Sequence, residues 1–148
     1  MLPFIVAIAV SMTLIQAPPT NGACSVLTPA QVSSLIGAAR TIPVTASPTG
    51  SSCMHQNNDK IITVLMATPS TAEAAQGLFN AKKRIVSGTD VPGWAAPAYA
   101  GIMKPAAVVV GVLVKQTLTE VKVIDSTQTP EALGVKLQAV MKDVAARK

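Results

Sequence analysis

Two cysteines, Cys24 and Cys53, constrain this chain more than any other feature, because each is the other's one possible intrachain partner. Paired, they tie the start of a first helix to the first strand of a hairpin. Closing a loop of about 30 residues stabilises a fold by roughly 3.5 kcal/mol in the chain-entropy account. That is a large share of the ~5–15 kcal/mol typical of a domain. Such a bond also needs an oxidising compartment.

The residues before Cys24 point to that compartment. An apolar run, Leu2 to Val10, is extended by Met12, Leu14 and Ile15, and no charged side chain precedes Arg40. A bilayer span needs about 20 apolar residues. The run fits instead the apolar core of an export signal, although the usual basic start is missing. Pro18 and Pro19 end any helix there. Small residues favour a cut after Gly22 or Ala23, which divides the chain into a signal peptide, 1–23, and one domain, 24–148. The alternatives are a retained apolar helix and a lipoprotein. Asn21-Gly22-Ala23-Cys24 has the Ala of a lipidation box but Asn where Leu belongs. A lipid on Cys24 would also compete with the disulfide for one sulfur.

Hydrophobic residues make up 49% of the chain and aromatic ones 3%, so the core is expected to be aliphatic, with little surface for stacking bases. The formal charge is +5, and Lys82-Lys83-Arg84 is its one cluster. It reads as a solvated helix face, with a phosphate or anionic-lipid patch as the alternative; no aromatic residue is interleaved with it, which argues against nucleic acid.

The elements follow from local signals. Thr28-Pro29-Ala30-Gln31 combines a cap, a first-turn proline and a capping box, with Leu27 and Val32 placed as a hydrophobic staple. Thr41 to Thr45 reads as extended and Ala46 to Ser52 as a Ser/Pro/Gly loop. Cys53 to Gln56 and Lys60 to Ala67 flank the polar turn Asn57-Asn58-Asp59 as a hairpin. A second helix opens at Ser70-Thr71-Ala72-Glu73, with Ala74, Ala75, Leu78, Phe79, Lys82, Ile85 and Val86 on one side. Three strands are expected at Ala95 to Met103, Ala106 to Val114 and Thr117 to Ile124, the middle one continuously apolar and so central. Gly111 in that strand suggests a bulge or a close backbone approach. Thr129-Pro130-Glu131 opens a last helix along Leu133, Leu137, Val140, Met141 and Val144. The order α-β-β-α-β-β-β-α predicts an α+β domain: a single, mostly antiparallel sheet of about five strands with three helices.

Cys24-Ser25-Val26-Leu27-Thr28-Pro29-Ala30-Gln31-Val32, then Cys53, Val91-Pro92-Gly93 and the final Ala132 to Ala146 helix form a recognisable layout. It resembles that of small exported bacterial proteins, often lipoproteins, whose mature part opens Cys-x-Leu-Leu-Thr-x-x-Glu-Val. Here Val26 replaces Leu and Gln31 replaces Glu. The resemblance implies a fold type and an envelope location, and no biochemical activity.

No pattern of catalytic, cofactor or metal-ligating residues stands out. His55 is the sole histidine, and no Gly-x-Ser-x-Gly elbow accompanies it. Met54-His55 with Met66 and Met103 could suggest copper, but a soft site needs such ligands brought together, and core methionines are the simpler reading. The acids Asp59, Glu73, Asp90, Glu120, Asp125, Glu131 and Asp143 show no paired spacing. Trp94, in a turn, and Tyr99 are the residues that invite a binding role. Either Trp94 caps the end of the core, or a small groove forms from Trp94, Tyr99 and the Lys82-Lys83-Arg84 helix. The expectation is therefore a periplasmic or secreted binding or accessory module, without cofactor and not an enzyme. Its partner would be an unknown protein or small ligand of the cell envelope. It would touch membrane only through the signal peptide or a lipid on Cys24. A small envelope enzyme with an unrecognised site and an inhibitor-like protein-binding domain are the alternatives.

Overall fold

A computed structural model describes residues 21–147. The apolar run of the signal-peptide reading lies outside them. Among the described residues there are seven strands and three α-helices in one antiparallel sheet. After a 3-10 turn, Gly22–Ser25, come α1 (Pro29–Ile36), β1 (Arg40–Ser47), β2 (Gly50–Asn57) and β3 (Lys60–Ala67). Then follow α2 (Ala72–Ile85), β4 (Thr89–Asp90), β5 (Ala98–Met103), β6 (Ala107–Val114), β7 (Thr117–Ile124) and α3 (Pro130–Ala145). The sheet order is β1-β2-β3-β7-β6-β5-β4, with every neighbouring pair antiparallel. Two meanders, β1–β3 and β4–β7, meet at the β3–β7 seam.

The α+β class and the three helices are as expected, but the strand count is seven rather than about five. One extra strand is β1, which takes in Ala46 and Ser47, while Gly50 to Ser52 join β2; the expected loop shrinks to a turn at Pro48-Thr49. Ser and Gly have little strand preference of their own, and here the ladder to β3 holds them. The other is the two-residue β4, too short to show periodicity. The strand expected from Ala95 begins at Ala98, because Val91 to Pro97 form the turn that carries Trp94.

One face of the sheet carries α1 and α3. Val32, Leu35 and Ile36 of α1 and Leu133, Leu137, Met141 and Val144 of α3 pack on Val64, Val108, Val110, Val112, Val121 and Val123. The capping box of α1 forms as expected: Thr28 N–H donates to Gln31 Oε1 (2.9 Å), and Gln31 N–H donates to Thr28 Oγ1 (3.2 Å). The other face carries α2, whose Ala75 and Phe79 pack with Val86, Tyr99, Val109, Leu113 and Leu118. That helix lies on β5, β6 and β7.

The disulfide Cys24–Cys53 is formed, with Cα atoms 5.1 Å apart. The packed domain starts before it. Asn21 Nδ2 donates to Thr45 O (3.0 Å) on β1 and Ser52 O (2.9 Å) on β2. Ala23 is fully buried, and its N–H donates to Ser51 Oγ (3.0 Å). No helix among the described residues is long and apolar enough to cross a membrane.

Candidate binding face beside α2

Strand alternation decides what the α2 face offers. Register aligns Ser52, Leu65, Glu120, Gly111 and Tyr99 along one row, and Met54, Thr63, Lys122, Val109 and Gly101 along the next. Over β5–β7 these rows are covered by α2. Over β1–β3 the same face presents Ile42, Met54, Ile61 and Leu65, all partly exposed. Ile85, at the end of α2, overhangs this half and is 72% exposed. The expectation that Ile85 belongs to the buried stripe of α2 is thus corrected: the stripe drifts off the covered half of the sheet at its last turn. A cleft of about 300 Å³ runs along the α2 flank, lined by Leu65, Lys82, Ile85, Met103, Glu120 and Lys122.

Lys82 and Glu120 in the wall of the cleft form a polar triad with Tyr99 behind them. Tyr99, fully buried, donates its phenol proton to Glu120 Oε2. The other Glu120 oxygen pairs with Lys82 Nζ at 3.6 Å. Burial, and then the hydrogen bond and charge of Glu120, push the Tyr99 phenol far above its ordinary range. Phe79 meets the Tyr99 ring edge-on, centroids 5.1 Å apart. Lys83 pairs with Asp90 at 2.7 Å, and Arg84 is exposed. Two cations of the Lys82-Lys83-Arg84 cluster are therefore engaged with acids of the domain itself.

Of the groove expected from Trp94, Tyr99 and the basic helix, the structure brings together only Tyr99 and Lys82. Trp94 packs from its turn against the core on the α1/α3 face, whereas Tyr99 belongs to the core on the α2 face. Sequence reasoning missed Leu65, Glu120, Lys122 and the exposure of Ile85. Alternation in β7 did carry a signal, since it sets Leu118, Glu120 and Lys122 on one face.

His55 is buried at 3% exposure on the α1 side, its Nδ1 3.0 Å from Thr41 Oγ1 and its Nε2 without a partner among the described residues. Burial lowers its pKa from the ordinary value. Met54 points to the opposite face, so adjacent Met54 and His55 cannot converge on one metal ion. No cluster of three or more His, Cys, Asp or Glu suited to a metal occurs among the described residues. Comparison with protein-family models finds no match, and comparison with curated protein sequences finds none.

Proposed function

We propose that the protein is an exported, non-catalytic binding module of the periplasm or extracellular space, and that it takes its partner on the half-open α2 face. The observation that carries this reading is the group of partly exposed apolar residues Ile42, Met54, Ile61 and Leu65 on one face, with exposed Ile85 beside Leu65. Antiparallel sheets often leave one face to water, but that face is then polar. Here four apolar side chains and Ile85 stand open among Ser52 and Thr63, an excess of apolar surface that suits an interaction site. Lys122 lines the cleft without an ion pair among the described residues. The partner therefore presents an apolar surface with an acidic group beside it. Export is supported by the Cys24–Cys53 bond. The polar groups of the cleft favour binding over catalysis, because Tyr99, Glu120 and Lys82 are engaged with one another.

The test is site-specific photo-crosslinking in the exporting cell. A photoreactive residue at Ile85 or Leu65 should give the same discrete adduct, and one at exposed Asp143 on α3 should give none. Adducts equal at all three positions, or at none, would defeat the assignment.

A further inference from the structure

The geometry points to a second docking site, where an extended polypeptide segment adds as a strand to the outer edge of β5. β5 pairs with β6 along its whole length, but with β4 only at Thr89–Ala100 and Asp90–Tyr99. Two hydrogen bonds fix which backbone groups face outward. Val91 N–H donates to Ala98 O (2.9 Å) on the outer side, and Leu113 N–H donates to Pro97 O (2.9 Å) on the inner side. Even-numbered residues of β5 therefore turn their N–H and C=O to the edge. Ala100 meets Thr89. Opposite Ile102, in the same register, the chain would need Ser87 as a strand residue, but Ser87 has φ 49°, outside the strand range, and β4 begins only at Thr89. Ile102 is left with both backbone groups on the edge and no backbone partner among the described residues. Ile102 thus offers one N–H and one C=O, enough to anchor a residue of an extended chain that continues the edge beyond β4.

A side-chain cleft lies directly beside that edge. Alternation puts Ile102 on the α3 side of the sheet with Ala98 and Ala100. Between it and α3 is a space of about 420 Å³ lined by Ile102, Val108, Glu131, Gly134 and Val135, with Ser87 and Thr89 at the edge. Ile102 is 46% exposed and Val135 71% exposed. Gly134 makes a notch in the helix wall: a Cβ there would meet only Val108 Cγ1, at 3.9 Å. Glu131 is exposed, the one ionisable group lining the cleft, and makes no ion pair among the described residues.

These features define the occupant. Backbone pairing at Ile102 requires an extended chain. Side chains of an added strand reach the α3 side at every second position. One of them should be apolar, seated between Ile102 and the Gly134 notch, and the next on that side basic, facing Glu131. The ligand is thus a partner polypeptide with an apolar-x-basic pattern, held by main-chain bonds for affinity and by the cleft for selectivity. A second copy of this chain fits less well, since exposed Lys104 lies in the turn just beyond β5 and each copy carries a net charge of +5.

The experiment titrates the ¹⁵N-labelled protein with pools of acetylated, amidated pentapeptides. Position 2 is Val, Ile, Leu or Phe and position 4 is Lys or Arg, with Thr elsewhere. Binding should shift the amides of Ile102, Gly134 and Val135. For the best peptide, N-methylation of amides that face β5 should weaken binding by about tenfold or more, and methylation of the intervening amides should not. Glu131→Lys should reverse the preference at position 4 to Glu, a readout that needs an intact fold. Equal effects of methylation at both parities would reduce the site to non-specific apolar adhesion. Shifts centred on Leu65 and Lys122, an edge blocked by self-association, or no binding of any pool at millimolar concentration would each overturn the inference.

Discussion

The ring of Tyr99 fills the space in which a side chain at Gly111, its cross-strand partner, would stand. A Cβ on Gly111 would fall 2.3 Å from Tyr99 Cζ. This is the close approach that a glycine in an otherwise continuous apolar strand suggests. It also lets the phenol reach Glu120 and thereby hold the wall of the cleft beside α2.

Gly111→Ala should therefore destabilise the domain by about 1–3 kcal/mol through overpacking. Combined with Tyr99→Ala, it should cost much less than the sum of the two single changes, because the clash is gone. Urea denaturation of the four proteins measures this. Additive effects would mean that the ring and the missing side chain do not share one space.

Acid stability should fall in two separate windows. Burial lowers the pKa of His55, so it stays neutral in the fold while the unfolded chain takes up a proton. Its contribution is complete above pH 6.5 and is lost as pH falls from there toward the folded value. Asp125 acts lower. Burial alone would raise its pKa, but hydrogen bonds from Thr127 and Gln128, helped by Lys60, hold it at about 2. Its contribution is complete above pH 3.8 and is lost between there and about pH 2. His55→Gln should abolish the upper window and Asp125→Asn the lower, read as urea midpoints against pH. Asp125→Ala, which leaves those donors without their acceptor, should cost about 2–3 kcal/mol at neutral pH.

Parity along strands was legible in the sequence, and coverage was not. The bounds of β3 and β7, the capping box at Thr28 and the stripe of α3 follow from patterns that local physics imposes within a few residues. The pairing of Cys24 with Cys53 followed from elimination. What stayed hidden depends on what lies over a face. The helical period of α2 cannot tell that its last turn passes the edge of the covered half-sheet, so Ile85 looks like Phe79. Nor can it tell that Trp94, on a turn, and Tyr99, in a strand five residues later, end on opposite faces. The polar stretch Ala46 to Ser52 reads as a loop because its strand character comes from its neighbours in the ladder.

Ile85 and Phe79 make that distinction measurable. Phe79→Ala should cost about 3–5 kcal/mol, since the ring is buried against Tyr99. Ile85→Ala should change stability by no more than about 0.5 kcal/mol, yet it should weaken partner capture at the α2 face. Calorimetry gives the first pair of values and the crosslinking yield the last. A large stability loss for Ile85→Ala would mean that its side chain is covered after all.

The Cys24–Cys53 bond should stabilise the fold without specifying it. It closes a loop with a sequence separation of 29, and the chain it pins is held by few apolar contacts of its own: β1 is exposed along nearly its whole length. Pro43 and the irregular register between Pro43 and Thr45 protect that edge from pairing with other chains, but they also weaken its own ladder. Cys24→Ser with Cys53→Ser should therefore lower stability by about 2–4 kcal/mol. Local opening should concentrate in β1 and the Asn21–Ala23 segment, because Asn21 bridges β1 to β2 at Thr45 and Ser52. Hydrogen exchange of the double variant should show β1 amides exchanging far faster while β3, β6 and β7 keep their order of protection. Asn21 and the buried Ala23 belong to this packed segment, so if the chain is exported and processed as proposed, both should stay in the mature protein, a cut upstream of the one expected from small residues alone. Intact mass decides that point. A mature chain beginning at Cys24 would leave β1 without its Asn21 bridge and would overturn this account of how the first hairpin is held.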